Sequence, residues 1–173
     1  MLHNEKELFE QAVLKTAEYF GYAPAIVEKD YYVTLFLKKI FEKENNIVFK
    51  DGTSLSKCYG LIDRFSEDID LGVYSEGHPT EGVRKSIKNS IVTIIDELRF
   101  ELLNPDDIRS RRDFNRYEIA YPSYFDAVYL KQHLAVETAM FMKIFPVERK
   151  TVSSLIFDFF DTELSPVKPY NRG

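Results

Sequence analysis

A mixed α/β chain of the α+β kind, with a small mixed sheet flanked by helices, is the fold class the sequence predicts. Two observations predict it. Apolar residues recur at helical spacing in residues 4–20, in the stretch that follows Pro24 and in the one that follows Pro79. Between and after these stretches lie short β-branched or alternating segments, "NIVFK", "DIDLGVY", "RYEIAYP" and "HLAVETAMFM". A chain of 173 residues with 45% apolar content fits one domain with a real core.

The first helix is expected over residues 4–20, with Asn4 as its cap and Glu7 three places on. Phe9, Val13, Ala17 and Phe20 form its apolar stripe, and Gly21 closes it. A second helix begins near Pro24 and buries Val33, Phe36, Leu37 and Ile40. Its segment Glu28, Lys29, Asp30 reads as a solvated face, with Lys29 and Asp30 pairing on the surface or bracing the core. "NIVFK" is a strand ending at Lys50, after which Gly52 and Thr53 turn the chain into a short helix over residues 55–59.

In "DIDLGVY" the period of two puts Ile69 and Leu71 on one face and Asp68 and Asp70 on the other. Val83, Ile87, Ile91, Ile94 and Leu98 then mark a long helix. "RYEIAYP" aligns Tyr117, Ile119 and Tyr121, while "HLAVETAMFM" sets Leu134, Val136, Thr138 and Met140 against Ala135, Glu137 and Ala139. "SSLIFDFF" suits a helix or a strand, and "ELSPVKPYNRG" reads as a linker or frayed terminus. The expected organisation is a helical pair over 1–45, a core over 46–160 and a tail, or the start of a further helical part, over 161–173.

A formal charge of −5 argues against a generally basic nucleic-acid coat. Arg109, Arg111, Arg112 and Arg116 could form a local RNA track, but Asp113 interrupts them and a plain polar loop is the simpler reading. Cys58 is the single cysteine, which fits a reducing compartment. The opening "MLHNEKELFEQ" lacks an apolar signal region and no apolar run reaches bilayer-spanning length, so the expectation is a soluble, cytoplasmic protein with no membrane partner. His3, His78 and His133 lack metal-ligand spacing.

Asp68 and Asp70 are the chemically pointed pair. Carboxylates at i and i+2 of a strand project side by side and repel, unless a cation sits between them. Nucleotide transfer from a triphosphate uses such a pair, because two divalent ions roughly 3.5–4 Å apart clamp the attacking and leaving oxygens. Mg2+ takes only one or two protein carboxylates, with water and phosphate completing its shell. Glu137 is the best-placed third carboxylate, and Mn2+ is the alternative ion. The amides at Gly52 and Thr53, opening a helix, suit an anion. Thr53 and Ser54 add hydroxyls, and Lys57 and Arg64 add charge. The bland alternatives are a solvated strand end for the aspartates, a solvated or paired Glu137, and ordinary surface charge for Lys57 and Arg64.

The order strand, "GTSLSK", then "RFSEDIDL" resembles nucleotidyltransferases of the DNA polymerase β type. More closely, with "EKDYYVT" before it and "LAVE" after it, it resembles the AbiEii/AbiGii toxin family of bacterial abortive-infection and toxin–antitoxin systems. The resemblance runs from about Glu28 to Glu137. It implies a polymerase-β-like core whose metal site lies at one sheet edge, with Asp68, Asp70 and Glu137 on Mg2+ and Gly52, Thr53, Ser54, Lys57 and Arg64 on the NTP. It also implies an RNA acceptor, in particular a tRNA end, and a cognate antitoxin. Two departures stand out: Asp51 where the family has a first glycine, and no match before Gly173 for the family's later lysine and Asp-x-x-Asp element. They raise a second expectation, a truncated or inactive remnant that binds nucleotide or a partner without turnover.

Overall fold

The computed structural model describes residues 1–50, 68–74, 77–109, 113–140 and 148–164, with side chains described as far as 161. Four helices and five strands lie within these residues: α1 (Lys6–Phe20), α2 (Pro24–Lys43), β1 (Ile47–Lys50), β2 (Asp68–Val73), α3 (Glu81–Leu98), β3 (Glu101–Leu102), β4 (Phe114–Ala120), β5 (His133–Ala139) and α4 (Leu155–Leu164). The expected mixed α/β class is what the chain adopts. The strands join in one sheet of order β1-β2-β5-β4-β3, in which only the β2–β5 pair is parallel.

The alternation in the strands decides which face meets the helices. Ile69, Leu71, Tyr117, Ile119, Leu134 and Val136 all have no exposed surface and pack into one cluster with Phe9, Val13, Phe36, Ile40, Ile87, Ile91 and Ile94 of the helices. Burial of this kind is the main favourable term in folding, about 1.5–3 kcal/mol for each fully covered aliphatic or aromatic side chain. The opposite sheet face carries the partly exposed Asp68, Asp70, Arg116, Glu118 and Glu137.

Two helix ends behave as their residues dictate. Gly21 takes the left-handed conformation (φ 71°) and closes α1, with its N–H on the Ala17 carbonyl. Thr80 caps α3 by accepting from the Val83 N–H. Asn4 does not cap α1. Leu2–Asn4 forms a 3-10 turn in which the Asn4 N–H donates to the Met1 carbonyl, so α1 starts later, with Glu5 in the cap position and no side-chain cap bond. Phe20, at the end of the expected stripe, is only half-buried.

The segment Glu28, Lys29, Asp30 is not solvated. All three are buried, because each meets backbone from a distant part of the chain. Glu28 accepts from the Ser123 hydroxyl (2.7 Å) and from the N–H groups of Tyr124 (2.8 Å) and Phe125 (3.4 Å). Lys29 donates to the Lys131 carbonyl at 2.8 Å, and Asp30 accepts from the Leu155 N–H at 2.8 Å. Helix α2 thus pins the β4–β5 connection with two side chains and the start of α4 with a third. "SSLIFDFF" resolves as helix, with the Ser154 hydroxyl accepting from the Phe157 N–H.

No helix among the described residues is long and apolar enough to cross a membrane. The turn at Gly52, the helix expected over 55–59, Cys58, and the tail beyond residue 164 lie outside the described residues.

Candidate active site

The site begins with strand alternation. Ile69 and Leu71 face the helices with no exposed surface, which turns Asp68 and Asp70 to the other side. Parallel pairing of β2 with β5 then makes Asp70 the partner of Glu137 and Asp68 the partner of Ala135. Neighbouring strands lie about 4.8 Å apart, so Asp70 and Glu137 are adjacent on one face. Antiparallel pairing adds a cation at each end of the row, since Lys50 of β1 partners Asp70 and Arg116 of β4 partners Glu137.

The register therefore sets the three carboxylates expected to act together on one face of two neighbouring strands. They do not sit at a sheet edge. Asp70 and Glu137 lie on β2 and β5, which have neighbours on both sides, so the row crosses the middle of the sheet.

Arg116 is the site residue that the sequence reading missed: it opens the expected strand "RYEIAYP" but is weighed there only with the arginines of the polar loop. Its Nη1 donates to Glu137 Oε1. Its Nη2 lies 3.5 Å from Asp68 Oδ1, and its Nε lies 3.7 Å from Glu118 Oε1. The reach from β4 to β2 is diagonal: Arg116 partners Glu137 on β5, whereas the β5 residue beside Asp68 is Ala135, which also partners Glu118 and carries only a methyl. Burial works against the charge of Arg116, but the Glu137 hydrogen bond and the Asp68, Glu137 and Glu118 carboxylates outweigh it and push its pKa up. One signal could have found it: in "NRYEIA" the strand alternation that buries Tyr117 and Ile119 puts Arg116 and Glu118 on the face opposite the core.

His133 starts β5, and burial pushes its imidazole pKa down, helped by Lys29, Lys131 and Arg116 and opposed by Glu118. Among the remaining arginines, Arg109 is fastened to Asn115 by two backbone bonds, its N–H to the side-chain oxygen (2.9 Å) and its carbonyl from the side-chain amide (3.0 Å). Asp113 pairs with Arg84 of α3 at 2.6 Å. Arg111 and Arg112 lie outside the described residues, as do Asp51 and all five expected phosphate ligands, Gly52, Thr53, Ser54, Lys57 and Arg64.

Whether the carboxylates suit a divalent ion is a matter of donor chemistry and placement. Among the described residues no three His, Cys, Asp or Glu side chains converge closely enough to hold a metal as they stand. Mg2+ asks for hard oxygens and only one or two protein carboxylates. Asp68, Asp70 and Glu137 supply such oxygens on neighbouring positions, and a cationic group, the Arg116 guanidinium, already rests between Asp68 and Glu137. The oxygens are of the kind the ion takes, although their present spacing does not close around one.

A family model for the nucleotidyl transferase AbiEii toxin of type IV toxin–antitoxin systems matches residues 35–171, well over half of the chain. The chain belongs to the AbiEii family. Its family is thus one of nucleotidyltransferase toxins, and the match spans every strand of the sheet, including the AbiEii chain's Asp68, Asp70, Arg116 and Glu137. No curated protein and no solved structure matches it.

Proposed function

We propose that this AbiEii chain transfers a nucleotide from an NTP to an acceptor hydroxyl on RNA, in particular a tRNA end, with Mg2+ or Mn2+, in the cytoplasm and under the control of a cognate antitoxin. The observation that carries the reading is the register that makes Asp70 and Glu137 neighbours on the face that also bears Asp68. Asp68 and Asp70 would hold the ion. The chemistry supplied by the ion when bound is neutralisation of phosphate charge and alignment of the attacking and leaving oxygens. Glu137 completes the site, orients the acceptor hydroxyl and takes its proton as the new bond to the α-phosphorus forms and pyrophosphate leaves. Gly52, Thr53, Ser54, Lys57 and Arg64 hold the triphosphate, a role that rests on the sequence motif.

The test is transfer of labelled nucleotide from each NTP to tRNA with Mg2+. Wild-type activity that survives Asp68→Ala unchanged rules out the assigned chemistry.

A second reading is nucleotide or partner binding without turnover. Asp51 beside the phosphate turn favours it, as does Arg116 seated on two of the three carboxylates. Calorimetry separates the two: Mg2+-dependent NTP binding with no transfer to any RNA supports the second reading.

A further inference from the structure

We infer that Arg116 is an exchangeable counter-cation of the acidic face, one that a divalent ion displaces from Asp68 and Glu137 and that then turns to the substrate's phosphates. The inference rests on the proposed Mg2+ seat.

Charge on the face argues for exchange. Among the described residues, strands β1, β2, β4 and β5 place four carboxylates there, Asp68, Asp70, Glu118 and Glu137, against two cations, Lys50 and Arg116. The surplus is negative, and a single guanidinium is shared among Asp68, Glu118 and Glu137. Its side chain keeps 30% exposure, and those of Asp68, Glu118 and Glu137 keep 40%, 39% and 25%. The Glu118 and Glu137 pairs are partly open to water and salt, which weaken them, and the Asp68 contact, though covered, is long at 3.5 Å. A divalent ion brings twice the charge to the same oxygens.

Geometry shows how Arg116 could leave without refolding. Nε faces Glu118, its neighbour two places along β4, whereas Nη1 and Nη2 face Glu137 and Asp68. Glu118, 3.7 Å from Nε, is the carboxylate toward which the fork can lean once its two tips leave Glu137 and Asp68. The backbone of Arg116 stays paired with Glu137, so the freed guanidinium remains at the site, and its planar fork suits phosphate oxygens.

The experiment is titration of the full chain with Mg2+ alone by calorimetry, in wild type, R116Q, R116K and D68N. Removing the competitor should tighten Mg2+ roughly three- to tenfold in R116Q. R116K, which keeps the charge without the fork, should fall between R116Q and wild type, and D68N should weaken binding. Equal or weaker binding in R116Q, beside a clear loss in D68N, overturns the exchange and leaves the proposed Mg2+ seat intact. Absence of binding in every protein, with and without NTP, overturns both. Should R116Q fail to fold, nitrogen NMR of the arginine side chains decides. The resonance missing in R116K must move when Mg2+ saturates wild type, and a stationary resonance at saturation overturns the inference.

Discussion

Replacing Glu28 by Gln sets burial against hydrogen bonding on one carboxylate. Glu28 has no exposed surface and takes three donors from the start of the β4–β5 connection. Burial is the largest influence on it and raises its pKa above the ordinary 4.5, although the three hydrogen bonds pull the other way. Gln keeps the volume and one acceptor oxygen. With that oxygen on the Tyr124 N–H, the new amide faces Ser123, whose hydroxyl can rotate to accept, and only the long Phe125 contact loses its acceptor. Two bonds fall from charge-assisted to neutral and one is lost, each a cost of about 1 kcal/mol. Relief from burying a charge offsets part of this, which leaves about 1–2 kcal/mol of destabilisation, or roughly 0.5–1 M in the urea midpoint.

The pH dependence tests the sign. A carboxyl whose folded pKa is raised contributes stability that is complete below its unfolded value and is lost as pH rises through the folded value. Wild type therefore weakens from about pH 4.5 upward through this group, whereas Gln does not titrate. Urea unfolding across pH 4–8 should show the gap between wild type and Glu28→Gln narrowing as pH rises. A widening gap would mean that the three donors overcome burial, and the reasoning would fail. A gap near zero at every pH, with unchanged amide exchange at Tyr124, would mean that Glu28 does not hold the connection at all.

Asp70→Asn should reduce nucleotide transfer to background while changing unfolding free energy by less than about 1 kcal/mol, since the group is partly exposed; transfer assays and urea melts check the two halves. Asp30→Ala should cost about 1.5–3 kcal/mol through the lost charge-assisted bond from the Leu155 N–H, and hydrogen exchange should quicken first at the start of α4. Burial, then the charged N-terminus, lowers the pKa of His3, so its contribution is complete above 6.5 and is lost as pH falls through the folded value. His3→Asn should then melt with a flatter profile between pH 7 and pH 5 than wild type.

The elements that sequence reading placed well are those whose determinants are local. Alternation alone assigned Asp68, Asp70 and Glu137 to the faces they occupy, and helical spacing found Ile87, Ile91, Ile94 and Leu98. What escaped depends on partners far along the chain. Glu28 looks solvated in isolation, and for Lys29 and Asp30 a surface pair and a brace for the core stay open, because their partners lie at Ser123, Lys131 and Leu155. Strand order is equally non-local. With β5 inserted between β2 and β4, Arg116 meets both Glu137 and Asp68, a contact that no window of neighbouring residues contains. "SSLIFDFF" stayed open because its apolar run satisfies both periods, and packing of Ile156 and Phe159 settles it.

The same strand order explains why the acidic face carries its own cations. A directly paired Asp70 and Glu137 is a like-charge neighbour pair, which weakens a sheet. On an edge strand such a pair could splay into water, but β2 and β5 each have strands on both sides and hold the two backbones at ladder distance. Relief has to come from neighbours in the row, and the register supplies it, with Lys50 beside Asp70 and Arg116 beside Glu137. Moving Arg116 off the carboxylates without putting another cation in its place would restore the repulsion. Stability and cation binding are therefore linked through one group: Mg2+ should raise the melting temperature of Arg116→Gln more than that of wild type, because in wild type the ion must first displace a charge that already stabilises the fold. An equal rise in the two proteins would show that guanidinium and ion do not share the site.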